Sequence, residues 1–238
     1  MALDADQASP VVRRQVPARA LAPGVTVAEL LDDRQGCRGL HQRRLRLTGG
    51  AEIFGEAGGR GEAWYVISGS GTLAAGTEGG TATLRPGTAV WLGASQGYRC
   101  RAVGDPAADL EILASTVRAG APAGPVLQVT TLDGCEPERT GDREFRVLLS
   151  PGLTITQFAG LIPPGRAPEH HHDYDEVVHV LAGQGVVHLR GGDTPIGPGT
   201  AIYLPPQAPH CLENTGQEPL RVLGVFHPAG SPAAKREG

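Results

Sequence analysis

A chain of 238 residues is long enough for one large β domain or two of ordinary size. Its net charge of −4 and pI near 6.1, with no basic helix and no aromatic-interleaved basic patch, argue against a nucleic-acid partner. Glycine (35) and proline (20) are abundant without any low-complexity repeat, which means many turns between short strands and hence an all-β protein.

The N-terminus, "MALDADQASPVVRRQ", has acids where a secretion signal would need a basic start followed by an apolar segment. No run of 18 apolar residues follows, so a soluble, cytoplasmic protein without membrane contact is expected. Residues 1–35 read as an N-terminal arm, in which "VTVAELLDD" (25–33) can hold a short helical turn despite its β-branched start. A first β unit is expected over 36–117. Residues 118–144 read as a linker because "VRAGAPAGPV" (117–126) is rich in Pro, Gly and Ala. A second β unit is expected over 145–230, and 231–238 form a tail. Cys37, Cys100, Cys135 and Cys211 are widely spaced and make no CxxC pair, so they read as reduced, inert thiols.

The two β units are copies of each other. "GEAWYVISGSGTLAAGTEGGTATLRPGTAVWLGASQGY" (61–98) lies over "DEVVHVLAGQGVVHLRGGDTPIGPGTAIYLPPQAPH" (175–210), with Glu62 on Glu176 and Pro86-Gly87 on Pro198-Gly199. Such a repeat indicates two related domains. In each, short apolar runs such as "EAWYVIS" and "EVVHVLA" end in Gly-x-Gly, and "TAVWLG" and "TAIYLP" leave a Pro-Gly turn. Those are strands of a sandwich or small barrel.

One stretch carries chemistry: "GRAPEHHHDYDEVVHVLAG" (165–183). On an extended strand residues i and i+2 share a face, so His170 and His172 can point at one spot while His171 points away, and Glu176 has the same parity. A buried carboxylate there would be costly unless a cation offset it. His210, which follows a proline turn, can supply a fourth ligand. Three imidazoles and one carboxylate suit a first-row divalent metal. Taken alone, three consecutive histidines also suit a solvated loop. His179 should face away from Glu176, and His188 and His227 have no partner that the sequence names. Cys211 should face away from His210.

At these residues the chain resembles a known family, the cupins, and specifically the two-domain bicupins. Their first motif, G-x5-HxH-x3,4-E-x6-G, is met by Gly165, His170-x-His172, Glu176 and Gly183, with the opening glycine one residue off pattern. Their second, G-x5-PxG-x2-H-x3-N, is met by Gly199, Pro205, His210 and Asn214, with Gln207 in place of the central glycine. The resemblance implies two double-stranded β-helix (jelly-roll) barrels in tandem. It also implies that His170, His172, Glu176 and His210 hold one divalent metal per chain, Fe, Mn, Ni or Zn. Aligned on Glu62, the first copy has Glu56, Gly58 and Tyr98 where the second has its histidines, so the N-terminal barrel should be metal-free.

What the resemblance implies for function is a metal-dependent enzyme acting on a small organic molecule, with dioxygenase-like oxidoreductase chemistry favoured. The alternatives are a redox-silent hydrolase or isomerase, like ureidoglycine aminohydrolases or sugar isomerases, and a non-catalytic small-molecule binder. Gln157 and Asn214 are candidates to orient a ligand imidazole or meet substrate. Tyr174 and Tyr203 are alternative pocket groups, and Arg146, Arg166 and Arg190 are arginines that could face an acidic substrate. The apolar outer faces of "VVHVLAG" and "YVISGS" predict a homodimer, or a monomer whose two barrels pack face to face.

Overall fold

The computed structural model describes residues 8–76, 80–104, 108–118, 127–150 and 152–233. Its architecture is all-β and antiparallel, and each barrel is a seven-stranded sheet closed against a four-stranded one. No helix among the described residues is long and apolar enough to cross a membrane.

The repeat seen in the sequence is a repeat of pairing. In the first barrel the strand Gly61–Ser68 lies between Thr88–Gly93 and Leu110–Val117, and Leu40–Leu47 follows. In the second, Asp175–Ala182 lies between Ala201–Leu204 and Leu220–His227, and Thr156–Ile162 follows. Equivalent cross-strand rows are Trp64–Ala114–Arg43 and Val178–Gly224–Phe158. At the second row Gly224 is required by packing, because a Cβ there would fall 2.1 Å from the Phe158 ring.

Two boundaries differ from the sequence expectation. Residues 8–35, the described part of the expected N-terminal arm, are built into the barrels. Val25–Leu31 is a strand of the first barrel, and the helical turn shrinks to a 3-10 turn at Asp33–Gln35, capped by Asp32 and stopped by Gly36 at φ 80. Nor is 118–144 all linker: Leu127–Thr131 and Glu138–Thr140 are strands. Residues 119–126 of that stretch lie outside the described ones. The cause in both places is edge pairing. Val11–Arg13 adds to Ala201–Leu204 of the second barrel, and Leu127–Thr131 adds to Thr88–Gly93 of the first. Each barrel's edge is thus covered by the segment that leads into the other, which removes two exposed strand edges.

The cores follow from strand alternation. One face of the first large sheet buries Trp64, Val66, Leu92 and Ile112 inside its barrel. Its other face, with Tyr65, Trp91 and Leu113, packs against Val177, Leu223 and Val225 of the second barrel. The two barrels therefore pack face to face within one chain. Inside the second barrel the apolar lining splits in two: aliphatic around Val178 and Val187, aromatic around Phe145, Phe158 and Phe226.

Candidate metal centre

The aromatic end of the second barrel holds the histidines. His170 and His210 face each other across an isolated antiparallel bridge, closed by His170 N–H to His210 O (3.0 Å) and His210 N–H to His170 O (2.9 Å). His172 accepts Gln207 N–H at its carbonyl (2.7 Å), and Gln207 has φ 65. The turn therefore needs the left-handed backbone that a central glycine would supply, and this chain builds it with Gln, whose side chain also bonds to Asp173.

The three imidazoles offer ring nitrogens all within 4.8 Å of one another, and all three residues are buried. Two tautomers are set by the backbone: His170 Nδ1 lies 3.1 Å from Pro168 O and His210 Nδ1 3.0 Å from Ala208 O. Donation there leaves each Nε2 lone pair free to bind a cation. Glu176 places Oε2 3.5 Å from His172 Nε2 and 3.4 Å from His210 Nε2, and that oxygen is buried without hydrogen-bond geometry to any group. Toward His170 its action is electrostatic only.

Protonation states agree with a cation site. Burial first, and the neighbouring His210 second, push the His170 pKa down to about 4. Burial would raise the Glu176 carboxyl, but the facing His210 and His172 hold it below its ordinary value. Burial would lower His210, but Glu176 raises it. An imidazole held neutral at His170, two more within reach at His172 and His210, and an ionised, under-satisfied carboxylate form a donor set that fits a single divalent transition metal.

A family model for the cupin domain matches residues 159–226. An uncharacterized protein of Methanocaldococcus jannaschii is 31% identical over 106 residues, covering 42% of this chain and 85% of that protein. The chain is a cupin. An oxalate-binding protein of Thermotoga maritima is 36% identical over 67 residues, 27% of this chain and 55% of that one. Among solved structures, oxalate decarboxylase from Bacillus subtilis superposes with a TM-score of 0.75 at 16% identity, covering 93% of this chain and 77% of that one. At that identity the likeness shows the two-barrel fold alone.

Several candidate residues of this cupin lie away from the site. Gln157 pairs with Val225, which pairs with Val177, whereas Glu176 pairs with Phe226 and through it with Thr156. Gln157 is therefore on the opposite sheet face, buried between the barrels with both amide atoms unpartnered. Asn214 is spent on backbone: its amide donates to Ile162 O (2.9 Å) and Glu218 O (2.8 Å), and its oxygen accepts Gly216 N–H. His179 is buried against Gln42 of the first barrel (3.2 Å), His188 is held between Asp193 and Glu213 (2.8 Å each), and His227 meets Thr154 O. His171 is half-buried and outside the cluster. Tyr203 donates to Asp175, next to Glu176 but on the other face. Arg166 is exposed, and neither it nor Arg190 lines the cavity.

Two residues belong to the site more closely than the sequence suggested. Tyr174 stacks on His172 at 4.9 Å and 10°. Arg143 lines the same small cavity, about 70 Å³, as His170, His172, Glu176 and His210, and its Nη2 is buried without a hydrogen-bond partner. Burial lowers its pKa, with Asp142, Cys211 and Glu176 opposing. The signal was available in "REFRVLL": alternation puts Arg143 on the face of Phe145, inside the barrel, and Arg146 on the other.

Proposed function

We propose that the C-terminal barrel holds one divalent transition metal on His170, His172, Glu176 and His210 and acts on a small carboxylic acid anchored by Arg143. The observation that carries this is the unpartnered guanidinium nitrogen in the cavity of the three imidazoles. A buried guanidinium nitrogen without a hydrogen-bond partner is costly, and a planar fork of donors fits a carboxylate. A cavity of about 70 Å³ suits an acid of a few heavy atoms. The names of two similar proteins, an oxalate-binding protein and oxalate decarboxylase, point to the same substrate size.

The chain's own residues divide the task. Arg143 binds and orients the acid, Phe145 and Phe158 keep the cavity dry, and Pro168 O and Ala208 O hold the imidazole tautomers. A divalent ion bound there supplies Lewis-acid chemistry and, if redox-active, electron transfer. Dioxygenase-like oxidation remains the reaction class we favour, with redox-silent turnover and simple binding as its rivals.

Metal analysis followed by stripping and anaerobic reloading with Fe(II), Mn(II), Ni(II) or Zn(II) tests this. Iron-loaded protein with a panel of small carboxylic acids, oxalate included, should consume O2, and zinc-loaded protein should not. Equal turnover with zinc selects the hydrolase or isomerase reading, and saturable binding without turnover selects the binder. Arg143→Ala should weaken acid binding at least about tenfold, the loss of one charge-assisted pair. Unchanged binding would remove Arg143 from the site.

A further inference from the structure

The chain holds a cavity much larger than the metal cavity. A cleft of about 520 Å³ runs between the barrels, with Tyr65 and Gly87 on one wall and Ala159, Leu181 and Val222 on the other. The internal repeat explains why it is open. Arg44–Leu113–Tyr65 is a cross-strand row of the first barrel, and Ala159–Leu223–His179 is the equivalent row of the second. On one side of the pseudo-dimer, Arg44 reaches the Pro-Gly turn of the opposite barrel: a Cβ on Gly199 would lie 4.0 Å from its Nη1. On the other side Ala159 stands in the place of Arg44, and the equivalent turn glycine, Gly87, is met by Leu132 of its own barrel and not by a side chain of the other, a Cβ there falling 3.2 Å from Leu132 Cβ. The arginine that the second copy lacks accounts for part of this opening.

Its polar groups are incompletely paired. Tyr65 is 5% exposed, and its hydroxyl bonds to no described residue. Glu144 is engaged by Arg139 (3.6 Å) and Arg146 (3.9 Å), and Arg146 also donates to Cys135 O. Arg221 and Asp133 remain. Both line the cleft, both act on the Tyr65 phenol, and neither makes an ion pair with the other or with another described residue. An exposed cation and an exposed anion, of opposite effect on the phenol, thus line the cleft beside a tyrosine whose ring is buried and whose hydroxyl reaches the cleft.

We infer that this cleft is a second ligand site, for a small zwitterion with an apolar body such as an apolar α-amino acid. The carboxylate sits on Arg221 and Tyr65, the ammonium on Asp133, and the apolar part against Leu132 and Leu181. Ala159 and Arg221 lie on the sheet face turned away from the histidines, so the cleft opens on the opposite side of a wall that the two cavities share at Glu144, Phe145, Gly160, Leu161 and Val222, and the inference does not rest on the reaction proposed for the metal site.

L-Phenylalanine is the probe, titrated into the protein as purified and followed by calorimetry and ligand-observed NMR. Saturable binding with a dissociation constant of about 1 mM or tighter is expected. Phenylacetate and phenethylamine, each with one of the two charges, should bind at least about tenfold more weakly. Ala159→Arg copies the filled half of the molecule and should abolish binding. Tyr65→Phe and Arg221→Gln should each weaken it about tenfold, and they carry the test if Ala159→Arg does not fold. His172→Ala should leave binding intact. Absence of saturable binding, equal binding of phenylacetate, or loss in His172→Ala with retention in Ala159→Arg would each overturn the inference.

Discussion

The two barrels place a buried glutamate at the same position and neutralise it differently. In the second, Glu176 faces imidazoles. In the first, Glu62 is fully buried and meets the Arg43 guanidinium at 2.7 Å, with Thr116 donating to the same oxygen at 3.2 Å. Arg43 occupies the row position of Phe158. Tyr98 stands where His210 does, and its pairing partner is Gly55, as His170 is the partner of His210. A Cβ on Gly55 would fall 2.5 Å from the Tyr98 hydroxyl, so the phenol fills the space of an imidazole. The lesson concerns charge: the inward carboxylate of each barrel needs a cation, and one barrel supplies it from its own arginine side chain while the other presents a donor set that fits one from solution.

The comparison breaks most completely if the first barrel also binds metal. His172→Ala or His210→Ala should take metal content from one ion per chain to background with the fold retained, because each barrel has its own apolar core. Glu62→Gln should leave the content unchanged. Elemental analysis after gel filtration decides, and two ions per chain would end the asymmetry.

Next in size is the internal cation itself. Arg43→Ala strands the Glu62 charge in a sealed core and should cost about 3 kcal/mol in urea denaturation, the low end for a broken buried pair because Arg43 keeps some contact with solvent. Replacing both partners together, Arg43→Met with Glu62→Leu, should recover most of the loss. A single Arg43→Ala change without cost would show that the pair does not hold the barrel.

How much of this was legible in the sequence follows from where the information lies. Strand identity and the metal arm were legible because alternation and fixed spacing are local, and "EHHHDYDE" states both. Three things were not. The edge strands Val11–Arg13 and Leu127–Thr131 are too short to stand out and form because the opposite barrel offers an edge. The side to which Gln157 points depends on pairing with Val225, a contact distant in sequence. The alignment placed Glu56 and Gly58 at the HxH positions, whereas pairing with Tyr98 puts Gly55 there, which leaves Glu56 exposed and Ala57 inward. One extra residue between that position and Glu62 shifts the register, and a one-residue shift exchanges faces.

The interface offers a smaller, pH-dependent contrast between His179 and its counterpart Tyr65. Burial first, and Arg44 second, push the His179 pKa down to about 3, against about 6.5 in an unfolded chain. Between those values the unfolded chain binds the proton and the folded one does not. Stability from this residue is therefore complete above about pH 6.5 and falls as pH drops toward 3, by up to about 1.4 kcal/mol per pH unit. Carboxylates add a slope of their own, so the readout is a difference: His179→Leu should flatten the fall in urea midpoint between pH 7 and pH 5 relative to the unsubstituted protein. Parallel slopes would mean that the imidazole is protonated in place.

The smallest expected effect sharpens the comparison at the turn before the site. Ser95 and Gln207 occupy equivalent positions, three residues before Tyr98 and His210, and both are non-glycine residues in the left-handed region, at φ 55 and 65. A side chain there costs roughly 1–2 kcal/mol, of which the flexibility of glycine in the unfolded chain takes back up to about 1. Ser95→Gly should therefore raise stability slightly, by less than about 1 kcal/mol. Gln207→Gly relieves the same strain but loses the bond to Asp173, which ties the turn to the loop carrying His172. It should gain nothing in stability, and the metal should leave a chelator-challenged sample faster than from the unsubstituted protein. Equal stabilisation by both changes, with metal release unaltered, would show that Gln207 is only a strained turn residue and takes no part in holding the histidine arm.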